Sequence, residues 1–206
     1  MSTYPTAAGI NPLAEGQTCR NLRSAFLRES QSRRLYIACA RRMEEASLHV
    51  IAHAFRFTAA QEKEHADICR GLLSAYGGSC IPFSPDTVPS LPDDPPSLLD
   101  FAAQAERHEG ERFYPRCARI ALEEGYPRIA EAFRRIGETE CLHAQRFEQY
   151  AAALREGRLF HDAAPISWVC MPCGEIYSGP EAPLHCAACG RDQGHFIRSS
   201  YYPFSV

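Results

Sequence analysis

Gln61-Glu62-Lys63-Glu64-His65-Ala66 and Glu140-Cys141-Leu142-His143 set a carboxylate and an imidazole three residues apart, twice, and the step from Glu62 to Glu140 is 78 residues. On a helix, positions three apart lie about 60° from one another, close enough to address one metal region. A single Glu-x-x-His on a charged helix ordinarily faces solvent. Two copies in register require a common explanation.

The register extends outward from both copies. Cys39-Ala40-Arg41 recurs as Cys117-Ala118-Arg119, Ile51-Ala52-His53-Ala54-Phe55-Arg56 as Ile129-Ala130-Glu131-Ala132-Phe133-Arg134, and Tyr36 as Tyr114, all at the shift of 78. Segments rich in Ala, Arg, Glu and Leu predict helices over about 20–43, 46–75, 97–123 and 126–155. Gly125-Tyr126-Pro127 stops and restarts the second pair, with Ser47 at the equivalent place in the first. Six of the fifteen prolines (Pro82, Pro85, Pro89, Pro92, Pro95, Pro96) lie between 82 and 96, a stretch expected to be non-helical. Two helix hairpins joined by a long crossover describe an all-α four-helix bundle of ferritin-like topology.

Bundles of this topology hold two metals between a pair of Glu-x-x-His helices and one Glu from each remaining helix. Those helices offer Glu29 and Glu106, with Glu109 one turn beyond, each beside apolar neighbours such as Ala25, Phe26, Ala102 and Ala105. A carboxylate in such a core needs a cation. His49 and His53 also sit four apart, but their equivalents are Pro127 and Glu131; they read as surface or supporting residues, and His108 as solvated. One detail breaks the repeat: Glu29 precedes Tyr36 by seven residues, whereas Glu106 precedes Tyr114 by eight. A π-bulge absorbs one inserted residue within a helix, and it is expected between Arg107 and Phe113.

The chain has 206 residues, 45% hydrophobic and 23% charged, with net charge −3, a globular composition without the basic footprint of a nucleic-acid or anionic-membrane partner. No apolar run is long enough for a transmembrane helix, and Met1–Gln17 lacks the pattern of a signal peptide; the cytoplasm is the expected location. Of ten cysteines, Cys170, Cys173, Cys186 and Cys189 form two C-x-x-C pairs, the pattern of a four-thiolate metal site. Taken alone, the spacing leaves zinc and iron open. Trp168, Tyr177, Phe196, Tyr201, Tyr202 and Phe204 are expected to form the core around it. The scattered Cys19, Cys39, Cys69, Cys80, Cys117 and Cys141 read as small hydrophobes.

Together these residues resemble the rubrerythrin family: Glu29-Ser30-Gln31, Gln61 to Ala66, Glu106-x-x-Glu109, Tyr114-Pro115, Glu124-Gly125-Tyr126, Glu140-x-x-His143 and Trp168-x-Cys170-x-x-Cys173-Gly174 stand in the family's order from about residue 19 onward. The resemblance implies an N-terminal arm over 1–18, a ferritin-like di-iron bundle over 19–157 and a small C-terminal rubredoxin-like β domain with a four-cysteine iron over 165–206. It implies that Glu62 and Glu140 bridge two irons, with Glu29 terminal on one and Glu106 with His143 on the other. Glu109, the family's distinguishing carboxylate, would exchange with His65, and Tyr36 and Tyr114 would hydrogen-bond ligand carboxylates. Glu175 and Ala187 depart from the family pattern, where an aromatic and a proline are usual.

The expected activity is reduction of hydrogen peroxide to water by the di-iron centre, re-reduced through the rubredoxin-type iron by an electron-donor protein or reductase, in a homodimer or higher oligomer. No nucleic-acid or membrane partner is expected. A ferritin-like ferroxidase is the alternative, which the fused electron-transfer tail disfavours. A bundle with a zinc ribbon serving only interactions would leave the paired Glu-x-x-His motifs without purpose.

Overall fold

The computed structural model describes residue 13, residues 16–79 and residues 90–201. Pro82, Pro85 and Pro89 of the crossover, Cys80, and Tyr202 and Phe204 of the tail lie outside the described residues. Five helices follow one another: α1 (Gln17–Glu45), α2 (His49–Ala75), α3 (Pro95–His108), α4 (Tyr114–Glu123) and α5 (Pro127–Arg155). A π-helical turn over Glu109–Phe113 joins α3 to α4 without leaving helical backbone, so the two form one rod. Four rods therefore make the bundle. Ser47 and Gly125, equivalent in the repeat, both turn the chain through left-handed backbone, at φ 57° and 84°.

Two helices start earlier than the sequence reading placed them, and α2 starts later, at His49 instead of 46. α1 begins at Gln17, inside the expected arm, because the Glu124 carboxylate accepts hydrogen bonds from the Gln17 and Thr18 amides at 2.9 and 2.8 Å. Those amides have no partner within the helix, so a carboxylate from the other hairpin satisfies them. Leu13 is buried too, and its amide donates to the Tyr76 carbonyl at 2.6 Å. The second difference is at Pro95 and Pro96, which open α3 instead of standing before it. Asp94 caps the Ser97 amide at 3.0 Å, and proline is suited to a first turn whose amides are unpaired anyway.

The core falls into two clusters built from equivalent residues. Tyr36, Cys39, Ile51 and Phe55 pack with Phe147 at the Ser47 end; Tyr114, Cys117, Ile129 and Phe133 pack with Leu22 and Leu73 at the Gly125 end. Cys19, Cys39, Cys69 and Cys117 are buried, as expected of small hydrophobes, and burial pushes Cys39 and Cys117 up to about 12. Among the described residues, no helix is long and apolar enough to cross a membrane.

A three-stranded antiparallel sheet follows, in the order β2-β1-β3, with β1 at His161–Cys170, β2 at Ile176–Glu181 and β3 at Phe196–Arg198. β1 starts before the expected 165 because His161 already pairs with Glu181, beyond an irregularity that ends at Ile166. Trp168 and Phe196 are fully buried, and the Trp168 indole donates to the Gly179 carbonyl at 3.0 Å. Tyr177 and Tyr201, expected in this core, are exposed. Tyr177 lies on the outer strand, its ring over Gly179. The sheet is seated on the bundle: Val169 and Ile197 join the Tyr36 cluster, and a Cβ on Gly194 would stand 1.9 Å from the Ser47 carbonyl oxygen.

Candidate metal centres

The π turn decides which residues of the third rod face inward. Its wider turn absorbs the extra residue between Glu106 and Tyr114, so both are buried. Tyr36 donates to Glu106 and Tyr114 donates to Glu29, a pair of hydrogen bonds crossing between hairpins in the symmetry of the repeat. The turn lies tight against α5: a Cβ on Gly110 would stand 2.6 Å from Cys141 Sγ and 2.8 Å from the Gly137 carbonyl. Cys141 thus faces the turn and not the ligand cluster.

Glu29, Glu62, His65 and Glu140 converge as one group of donors; Glu62, Glu106, Glu140 and His143 converge as a second. Glu62 and Glu140 belong to both. His65 Nδ1 stands 2.9 Å from Glu140, 3.4 Å from Glu62 and 3.6 Å from Glu29. His143 Nδ1 stands 2.8 Å from Glu140, 3.0 Å from Glu62 and 3.4 Å from Glu106. Yet Glu29 Oε2, Glu62 Oε1, both Glu140 oxygens and both Nδ1 atoms are buried without a hydrogen bond. Their directions meet at common points and not at each other. Contacts of this length are the edges of a coordination polyhedron with bonds of about 2.0–2.2 Å. The residues present therefore fit two cations.

The electrostatics agree. Burial raises Glu29 and Glu106 well above the usual carboxylate range. It would raise Glu62 as well, but the neighbouring His143 and His65 imidazoles outweigh it and bring that carboxyl down to about 2. Burial would depress the imidazoles, but the carboxylates around them prevail: His65 is pushed up to about 12 and His143 to about 11. Without a cation the site recruits protons as its positive charge, which is what a metal replaces.

Glu109, expected among the ligands, lies outside both groups. Arg28 holds its carboxylate at 3.3 Å while stacking over the Phe113 ring at 4.5 Å. Burial and the charge of Glu140 nevertheless push Glu109 up to about 7. Arg28 was not legible as a functional residue, and neither was Gln61, whose side-chain oxygen accepts from His143 Nε2 at 3.0 Å. Only adjacency to Glu29 and Glu62 hinted at either. His108 is exposed, as expected of a solvated residue.

In the sheet domain the four thiols gather as the spacing requires. Cys170 Sγ lies 3.7 Å from Cys189 Sγ, and Cys173 Sγ lies 3.6 Å from Cys186 Sγ. A tetrahedron with metal–sulfur bonds of about 2.3 Å has edges of this length. Gly174 and Gly190 close the two knuckles, their amides donating to the Cys170 and Cys186 carbonyls at 2.8 and 2.9 Å. Amides of Cys189 and Ala188 bring Cys186 down to about 7, favouring thiolate. Cys170 and Cys186 are buried, whereas Cys173 and Cys189 form an exposed edge.

Two family models match the chain: Rubrerythrin, over residues 20–151 and 97–167, and the rubrerythrin rubredoxin-like domain, over residues 168–197. A rubrerythrin of Clostridium perfringens (strain 13 / Type A) is 35% identical over 181 residues, covering 87% of this chain and 93% of the relative. One from Nitratidesulfovibrio vulgaris is 34% identical over 187 residues, covering 91% and 96%. Among solved structures, fully reduced, all-ferrous nigerythrin aligns with a TM-score of 0.62 at 26% identity, over 96% of this chain and 98% of that one. Rhodobacter capsulatus bacterioferritin, at TM-score 0.64 and 17% identity over 70% and 89%, shares the fold.

Proposed function

The chain belongs to the rubrerythrin family, and on that premise we propose that it is a hydrogen peroxide reductase, re-reduced through its rubredoxin-type iron. The family and the donor sets make the chain an iron-based oxidoreductase with two irons in the bundle and one at the four cysteines. Peroxide reduction is supported by one chain holding both a buried pair of carboxylate–imidazole groups and a four-thiolate group with an exposed edge. Iron storage has no use for an electron port on every subunit.

The proposed reaction takes hydrogen peroxide, two electrons and two protons to two waters. When bound, the di-iron centre supplies the two electrons and Lewis-acid stabilisation of the oxide charge that develops as the O–O bond breaks. Glu62 and Glu140, shared by both donor groups, would bridge; Glu29 with His65 and Glu106 with His143 would complete the two ends. Tyr36 and Tyr114 hold Glu106 and Glu29 in place from opposite hairpins. His143 is held by Gln61, whereas His65 has no equivalent support among the described residues, so His65 is the imidazole suited to leave. Glu109, kept beside the site by Arg28, is the carboxylate suited to take its place, and it can carry a proton.

An electron-donor protein or reductase would dock over the exposed Cys173–Cys189 edge. Exposed Phe57 and Leu142 support a homodimer or higher oligomer, which sedimentation would size. Buried thiols and a thiolate metal site suit the reducing cytoplasm.

The test is peroxide titration of protein purified and reduced without oxygen, with metal analysis. Full occupancy of the two bundle groups and the four-cysteine group, and oxidation of each di-iron site by one peroxide faster than by air, are expected. Iron uptake far beyond that occupancy, or oxidation by air at least as fast, would overturn the reading.

A further inference from the structure

We propose that His49, Asp192 and His195 form a further metal site, a divalent transition-metal clasp between the bundle and the rubredoxin-like domain. It is separate from both bundle groups and from the four cysteines, and it is independent of the peroxide reading.

The site lies where the two parts of the chain meet. His49 is the first residue of α2, directly after the turn at Ser47. Asp192 and His195 flank Gly194, which sits against the Ser47 carbonyl so closely that no side chain fits. The loop is therefore seated at one position, bringing two imidazoles and a carboxylate from distant parts of the sequence together. Their donor atoms lie within 4.8 Å of one another.

Asp192 Oδ1 is already engaged, accepting from the Gly194 amide at 3.1 Å and lying 3.0 Å from His195 Nδ1. Oδ2 points toward His49 Nε2 at 3.7 Å, too far for a hydrogen bond. A four-coordinate cation with bonds of about 2.0–2.2 Å separates its ligands by about 3.3–3.6 Å, so this gap suits two ligands of one ion. The His49 and His195 rings stack at 3.8 Å with 24° between their planes. A cation at the Asp192 side would draw both nitrogen edges to one point and open that angle.

Two imidazoles and a carboxylate form a donor set for zinc or ferrous iron, with room for water or a further ligand. His53 stands one turn beyond His49 on α2. Glu44 is taken by Arg56 and does not compete. A metal here would tie α2 to the loop preceding β3, fixing how the rubredoxin-like domain sits on the bundle.

The test uses the untagged, iron-loaded full chain with zinc ion as the probe. Calorimetry and equilibrium dialysis with metal analysis read zinc uptake, while the thiolate-iron absorption band and the iron content report whether resident metal stays. The expected result is one zinc per chain beyond the iron, at micromolar or tighter affinity, with the band unchanged. His49→Gln and His195→Gln should each weaken this binding at least tenfold, and His108→Gln, at an exposed histidine, should not. His49→Gln lies on the bundle, so it reports even if His195→Gln disturbs the sheet domain. No uptake at micromolar zinc, uptake that His49→Gln leaves unchanged, or zinc that enters only as iron leaves would each overturn the proposal.

Discussion

His143 Nε2 donates to the side-chain oxygen of Gln61 at 3.0 Å across two helices. That bond places a ring proton on Nε2, so Nδ1, which faces Glu62, Glu106 and Glu140, is the nitrogen left for a cation or, in the metal-free protein, for a second proton. The repeat places Thr139 where Gln61 stands, and its hydroxyl donates instead to the Arg135 carbonyl of its own helix at 3.1 Å. Two imidazoles equivalent in sequence are thus unequal in support: Gln61 holds His143, and no such bond holds His65 among the described residues.

Gln61→Leu should therefore lower iron retention at the His143 end by about 10–100-fold, the usual cost of losing a hydrogen-bond partner behind a metal-binding histidine. Chelator competition followed by metal analysis checks it. Release no faster than from the unaltered chain would show that packing alone orients His143.

Tyr36→Phe and Tyr114→Phe each remove the phenol hydrogen bond to a buried carboxylate, Glu106 or Glu29. A buried acceptor left unsatisfied costs about 1–3 kcal/mol. Denaturant unfolding of the metal-free protein should show a loss of that size for each. The double variant tests whether the two bonds act independently, since each crosses between the hairpins.

Gly110→Ala should destabilise the bundle by about 1–3 kcal/mol, because the added methyl overpacks the contact between the π turn and α5. The methyl would meet Cys141 Sγ at 2.6 Å and the Gly137 carbonyl at 2.8 Å. Adding Cys141→Ala should recover only part of the loss, since the carbonyl contact persists. Full recovery would show that the thiol is the only obstacle.

Metal-free protein should lose stability as pH rises above neutrality. Burial disfavours the charged imidazoles, but the surrounding carboxylates hold His65 protonated up to about 12 and His143 up to about 11. In the unfolded chain both release their protons near pH 6.5. The folded state then binds more protons than the unfolded one, so the stabilisation is complete below about 6.5 and disappears as pH climbs toward the folded values. Glu29 and Glu106, also raised, act in the same direction. Urea midpoints at pH 7, 8.5 and 10 should fall for metal-free protein and stay level for iron-loaded protein. A level metal-free series would mean that the imidazoles are already neutral.

The helices and most donor residues were readable because their signals are local or repeated. Glu-x-x-His fixes two donors on one face by helix geometry alone, and C-x-x-C does the same for two thiolates. Even the π turn was visible, since the repeat supplied a ruler against which one extra residue between Glu106 and Tyr114 stood out. The boundaries were less legible. α1 starts at Gln17 because of Glu124, a residue 107 positions away, and no window around Gln17 contains that information.

Local spacing specifies the candidate donors: which carboxylates, imidazoles and thiols exist, and on which helical faces or knuckles they sit. Their partners are set by packing between segments. Gln61 with His143, Arg28 with Glu109 and His49 with His195 each join segments far apart in the chain. The periodicity of a helix is set by bonds between neighbours and is written along the chain. Contacts between helices depend on how whole faces pack, which no local spacing records.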